Sequence, residues 1–179
     1  MQRTLTGLLW LAVIGVTPTG SAAAQTSGVT IAVFRFGNAG VYGETRDTAE
    51  ARRLRIGTML ASELEMQPGI RSIHPRQTWA AMGPDSISRE KWRRGRRIDA
   101  GTAARVAGEL GAQYAVTGSF VDHFGRLRVN AQLVDVRRGA IVRAFTNDDP
   151  SLQRREDLPE IVHLQAERIA QAVTLPGKE

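Results

Sequence analysis

The chain has 179 residues, 42% of them hydrophobic and 23% charged, with 18 Gly and 7 Pro, a globular composition that excludes disordered, collagen-like and coiled-coil chains. At roughly 150 residues per domain, one compact domain with a sizeable core is expected, which excludes large multidomain enzymes. The absence of Cys excludes disulfides, thiolate zinc sites, iron–sulfur clusters, a Cys nucleophile and a lipid-modified N-terminal Cys.

The first 24 residues read as a secretory signal. Arg3 sits in a short polar start, Leu8–Val16 is an apolar run, and Pro18, Gly20 and Ser21-Ala22-Ala23-Ala24 form a small-residue stretch with cleavage expected after Ala24. The run is nine residues long, against the roughly 20 a spanning helix needs. A periplasmic or secreted, non-lipidated chain is therefore expected, with no transmembrane span after cleavage. Residues 25–28 are a short polar entry, 29–175 a single domain and 176–179 a tail.

In chain order, Val29–Phe36 is β-branched and aromatic, which suits a largely buried strand. Asn38–Arg46, with Gly40 and Gly43, reads as a loop. Asp47 and Glu50 then make a capping-box-like helix start, and Ile56, Met59, Leu60 and Leu64 line one helical face. Pro68-Gly69 closes that helix and Ile70–His74 returns as a short strand. Residues 75–98 read as a broken helix or loop. Ala103, Val106, Ala107 and Leu110 keep helical spacing over Thr102–Leu110, and Gly111 is the C-terminal stop. Tyr114–Val121 reads as a strand, and Asp122–Gly125 as a hairpin connection. Leu127, Val129, Ala131 and Leu133 alternate with Arg128, Asn130 and Gln132, the pattern of a half-exposed strand. Arg137-Arg138-Gly139 turns the chain into Ala140–Phe145. Asp157 and Glu160 open a last helix whose Leu158, Ile161, Val162, Ile169 and Val173 face inward. The order β-α-β-α-β-β-β-α predicts an α/β (α+β-like) domain with a single mixed sheet and helices packed on it.

Charge is concentrated. Without residues 1–24 the chain holds 23 basic and 18 acidic residues, a net +5, and Arg89–Arg97 alone carries six basic residues and one acidic. Arg89, Lys91, Trp92, Arg93, Arg94, Arg96 and Arg97 therefore form the candidate partner- or anion-binding patch. A solvated surface explains the same run. A single aromatic, Trp92, is too few for a nucleic-acid stacking platform, and the segment lacks the apolar face of a membrane-surface helix.

Several chemical constellations fail on spacing. Gly37, Gly40 and Gly43 read G-x-x-G-x-x-G, where dinucleotide binding needs G-x-G-x-x-G opening into a helix. His163 has Glu160 and Glu167 at i−3 and i+4, which approximates a ligand set but equally describes a solvated helix surface. Glu63 and Glu65 point to different helix faces and cannot act as an acid–base pair. Ser119 lacks the G-x-S-x-G elbow. No catalytic, cofactor or metal residue is assigned.

The chain resembles the TolB N-terminal-domain-like and CsgG-like group of bacterial envelope proteins, which includes FlgO-type and LpoB-type modules, from about Val29 to Val173. The carriers are Ile31–Asn38, Gly57–Leu64, Gly69–Ile73, Ala107–Ser119, Arg128–Asp135 and Gly139. Arg35 stands where the pattern has Pro, and the basic run 89–97 is outside it. The resemblance implies a non-enzymatic exported protein that binds envelope proteins in assembly or regulation of a surface structure, with oligomers possible. Alternatives are a binder of an anionic ligand or polymer through 89–97, and a small enzyme with a site at the loop 38–46.

Overall fold

In the computed structural model, residues 28–41, 46–83 and 96–174 are described. The expected signal segment, the C-terminal tail, and Arg89, Lys91, Trp92, Arg93 and Arg94 of the basic run lie outside the described residues.

The elements are β1 (Val29–Val33), β2 (Gly37–Val41), α1 (Arg46–Glu65), β3 (Ile70–Ile73), α2 (Pro75–Ala81), α3 (Ala100–Glu109), β4 (Tyr114–His123), β5 (Arg126–Asp135), β6 (Ala140–Thr146), a 3-10 turn (Arg155–Asp157) and α4 (Leu158–Thr174). They form one mixed sheet in the order β3-β1-β4-β5-β6, with β2 also paired to β4. β1 runs parallel to β3 and β4, β2 is parallel to β4, and β4, β5 and β6 form an antiparallel meander. The expected mixed sheet is thus the one found.

The two sheet faces carry separate cores. On face A, Ile31, Val33, Val116, Phe120 and the inward residues of β5 meet Ile56, Leu60 and Leu64 of α1 and Ile161, Val162 and Ile169 of α4. On face B, Ala32, Phe34, Ala115 and Val134 meet Ala103, Val106 and Ala107 of α3, with Met82 and Ile98. The helical spacings read from sequence therefore mark true core stripes: Ile56, Leu60, Leu64 and Ile169 are fully buried. Each such side chain removed from water contributes about 1.5–3 kcal/mol.

Four expectations are corrected or sharpened. Asn38–Arg46 is not a loop throughout, because Gly37–Val41 pairs with Ser119–Asp122 of β4. β1 and β2 are one interrupted strand along the same edge of β4. Val33 pairs with Val116 and Gly37 with Ser119, so β4 advances three residues where β1–β2 advances four. One extra residue reverses the facing of the chain. Phe34 enters the face B core and Phe36 the face A core, both fully buried. Residues 75–81 are helix, opened by Pro75 in its first turn, and buried Thr78 hydrogen-bonds through Oγ1 to the Val33 carbonyl at 3.1 Å. The helix α3 begins at Ala100, because the Asp99 side chain accepts from the Thr102 N–H at 2.9 Å as its cap. The hairpin between β4 and β5 is tighter than expected, a two-residue turn with positive φ at Phe124 (50°) and Gly125 (90°).

Gly118 lies opposite the interruption. A Cβ there would sit 2.2 Å from Phe36 Cε1 and 2.5 Å from the Asn130 carbonyl oxygen. Neither ring nor strand can retreat without opening the sheet. Gly118→Ala should destabilise the fold by about 3 kcal/mol in urea unfolding; a change within ordinary surface scatter would show that Phe36 is not held over β4.

On the outer side of face A, His163 Nδ1 lies 2.9 Å from Glu63 on α1, and Nε2 lies 3.5 Å from Glu167. The Glu63 hydrogen bond raises the imidazole pKa above its ordinary 6.5 against a smaller opposing effect of burial, assisted by the charges of Glu167, Glu63 and Glu160. A raised folded pKa gives a contribution that is complete below about pH 6.5 and is lost as pH rises through the raised value. The Tm of His163→Gln should therefore fall below that of the parent at pH 6, and the gap should close by about pH 9.

Candidate functional site

Among the described residues, face B is covered only in part. α3 and the Met82 and Ile98 segment pack over Ala32, Ala115 and Val134. Beyond Gly37, toward the carboxyl ends of β2 and β4, the same face presents Ser119, Val121, Asn130 and Thr146 half-buried and Arg128 exposed. Asn130 Oδ1 accepts from Thr146 Oγ1 at 3.0 Å, so two adjacent strands hold a fixed polar stripe. Arg128 pairs with Asp148 at 2.9 Å at the rim.

The end of the predicted basic run borders this stripe. Arg96 and Arg97 are exposed and precede α3 without regular structure. Their backbone crosses the sheet at Gly37, where a Cβ would lie 2.6 Å from the Arg97 nitrogen and 3.0 Å from the Arg96 carbonyl carbon. A side chain at position 37 would therefore lift the basic segment off the sheet. These two arginines are the part of the candidate patch that the structure brings together with a surface.

Beneath the stripe, on face A, lies a charge cluster that sequence reading did not find. The Asp122 side chain is fully buried and binds Arg52 of α1 at 2.5 Å and Arg155 of the 3-10 turn at 2.6 Å. Its Oδ1 also accepts from the Gly125 N–H at 3.0 Å, which fixes the β4–β5 turn. Burial pushes the Asp122 pKa up, but the hydrogen bonds from Arg155 and Gly125 and the charges of Arg155 and Arg52 outweigh it and hold the carboxyl below the ordinary carboxylate range. These partners lie 70, 33 and 3 residues away in sequence, so no local pattern marks them.

Arg35, which stands in the place of the pattern's Pro, occupies the interruption between β1 and β2, with its guanidinium 5.2 Å from the centre of the Trp79 ring on α2. A cation over an indole is stabilising by about 0.5–2 kcal/mol, which offsets the loss of a preset turn residue. Next to it, buried Arg53 donates from Nε to the Phe36 carbonyl at 3.0 Å. These arginines fix backbone and core, whereas Arg96, Arg97 and Arg128 are presented outward.

The carboxyl end of β1 does not open into a ligand crevice, because Phe34, Arg35 and Phe36 carry the strand on into β2. A cavity of about 550 Å³ lies at the opposite end of β1 and β4, lined among others by Val29, Gln113, Tyr114, Asp135 and Val173. Gln113 there is occupied in structure: its Oε1 accepts from the Thr30 N–H at 2.6 Å. Glu63 and Glu65 do point apart, toward His163 and His74 respectively. No helix among the described residues is long and apolar enough to cross a membrane.

The sequence matches no protein-family model and no curated protein. In structure the chain is similar to TolB from Acinetobacter baumannii, with 18% identity and a TM-score of 0.50, over 84% of this chain and 29% of TolB. The fold is TolB-like. The chain thus spans less than a third of the length of that TolB. It is also similar to the LpoB C-terminal domain from Salmonella enterica, with 21% identity and a TM-score of 0.46 over 70% of this chain and 85% of that domain. For LpoB from Escherichia coli the identity is 14% and the TM-score 0.44, over 82% of this chain and 81% of that chain. The resemblance read from Ile31–Asn38 and Ala107–Asp135 and this TolB-like fold agree.

Asp122→Asn should destabilise the protein by about 3 kcal/mol in urea at pH 7, at the lower end of the cost of breaking a buried pair because Arg155 is partly solvated. A depressed folded pKa gives a contribution present above about pH 3.8 and lost as pH falls through the lower folded value, so the gap between parent and variant should hold from pH 7 to pH 5 and narrow only in stronger acid. A gap that closes at neutral pH would exclude the carboxylate as its source.

Proposed function

We propose that the chain is a non-enzymatic, exported envelope protein that docks on a partner protein through the end of face B that α3 does not reach. The observation that carries this reading is the stripe itself. Ser119, Asn130 and Thr146 are set on paired strands, with Arg96, Arg97 and Arg128 exposed at the margin. Polar groups fixed on strands form a recognition surface without ordering cost on binding, and arginine at a rim steers an acidic partner and speeds association. Export rests on the leader pattern of Met1–Ala24, and a role in assembling or regulating an envelope structure rests on the TolB-like resemblance.

The second reading assigns the same margin to an anionic ligand or polymer, with Arg89, Lys91, Trp92, Arg93 and Arg94 continuing the charge of Arg96 and Arg97. Its distinguishing property is electrostatic. Binding of a polyanion by several cations weakens steeply with salt, whereas a protein partner held by packing and hydrogen bonds stays bound when screening is strong. The third reading, an enzyme at 38–46, has less support, since Gly37–Val41 is committed to β2.

The test is crosslinking in the source cells and affinity capture, comparing the parent with an Arg96→Ser, Arg97→Ser, Arg128→Ser variant. A single envelope protein should be captured by the parent and retained in about 1 M salt, with the variant associating about tenfold more slowly. A polymer released by salt would transfer the site to the anionic reading. Undiminished capture by the variant would remove this face from the interaction.

A further inference from the structure

The meander ends in β6, which among the described residues pairs with β5 alone and leaves its outer edge open. Ala140, Ile141, Val142, Arg143 and Ala144 are all exposed, and only Phe145 enters the core. Ile141 and Val142, 46% and 44% exposed, are two of the four large hydrophobic side chains exposed among the described residues. An edge strand of this kind turns alternate N–H and C=O groups outward, and native edges are blunted with Pro, with charged side chains or with β-bulges. Ala140–Thr146 contains no Pro and no Lys, and its protection is limited to one charge, Arg143, and one extra residue, Val142, placed between the Leu133↔Arg143 and Val134↔Ile141 pairs.

The charges flanking this edge have opposite signs. Arg137 and Arg138 stand exposed before the strand, and Asp149 and Asp148, the latter also paired with Arg128, stand exposed after it. The Asp149 carboxyl is held below its ordinary range by hydrogen bonds from the Ser151 hydroxyl and N–H, so it stays ionised. An unrelated extended segment would need its own matching charges. A second copy in antiparallel orientation supplies them automatically, because its acidic end meets the first copy's basic end, and the contact repeats by symmetry.

From this we infer that β6 is the seam of a two-fold homodimer, in which the β6 strands of two copies pair antiparallel into one continuous sheet. The two-fold axis passes at Val142. Centring on Arg143 would set two guanidiniums directly opposite, and like charges there are destabilising. With Val142 facing Val142, Arg143 faces the partner's Ile141 and Ala140 the partner's Ala144. Arg137 and Arg138 sit in the turn that opens β6, at the end of the seam where the partner's strand runs on to Asp148 and Asp149. The seam meets the stripe at Thr146 and, through Asp148, at Arg128, but it is read from the exposed edge of β6 and does not rest on the docking role proposed above.

Sedimentation equilibrium of the purified protein at concentrations rising to about 1 mM reads the equilibrium directly. A dimer should form in the parent, and Val142→Lys should weaken it at least tenfold while leaving the circular dichroism of the fold unchanged. Arg137→Asp with Arg138→Asp should be monomeric alone, as should Asp148→Arg with Asp149→Arg, and an equal mixture of the two should form the heterodimer, in which one side is native and the other carries both charges reversed. The chain has no Cys, so Val142→Cys places a single thiol on the axis. Directly opposed residues stand about 4.5–5.5 Å apart at Cα, within disulfide range, and mild oxidation should give a covalent dimer. A parent that stays monomeric throughout, or a dimer that neither Val142→Lys disrupts nor Val142→Cys locks, would overturn the inference.

Discussion

The Phe36 ring lying on Gly118 is the contact on which the rest of the sheet depends. β4 is ten residues long and pairs fully with β5 on one side. On the other side it must accept a chain that carries one residue too many between Val33 and Gly37. The surplus is absorbed at Phe34-Arg35-Phe36, where the backbone turns one phenylalanine into each core. That solution requires a residue without a side chain directly across, and Gly118 provides it. Arg53 then holds the Phe36 carbonyl while Arg35 covers Trp79, so the interruption is satisfied from both layers of helix.

A second consequence concerns charge. The chain is strongly basic, yet its arginines divide by environment. Arg52 and Arg155 are drawn to the buried Asp122, where a low effective dielectric strengthens the pairing and makes the loss of one partner costly. Arg96, Arg97 and Arg128 stay in contact with water, where their pairing contributes little to stability and their field reaches outward. Buried-pair and water-facing arginines are thereby separated by the sheet, with one set below β4 and the other above it.

Much of this architecture was legible in the sequence because it is locally encoded. The alternation from Leu127 to Leu133 and the spacing of Ile56, Leu60 and Leu64 report burial directly. β2 was not legible: Gly37-Asn38-Ala39-Gly40-Val41 has the composition of a loop, and its strand character comes from pairing with residues about eighty positions away. The seven-residue α2 was hidden by its length, although Pro75 at its start was a usable signal. The run of charge at 89–97 was plain, but what gives Arg96 and Arg97 a place is the backbone crossing at Gly37, a packing fact with no sequence signature. Asp122 read as part of a turn, which it is, while its two arginines come from other elements.

The half-covered face B follows from how α3 packs. Ala103, Ala104 and Ala107 bring that helix close to the sheet over its amino half, and close approach by small residues leaves a short helix no reach to the carboxyl half. The strands there cannot become apolar without exposing a hydrophobic patch, so β5 alternates inward Leu, Val and Ala with outward Arg, Asn and Gln. The polar stripe is therefore the surface a sheet of this length must present once its covering helix ends. At β6 the alternation stops, and Ile141 and Val142 stand adjacent and exposed. A second copy paired at the seam inferred above would take both out of water.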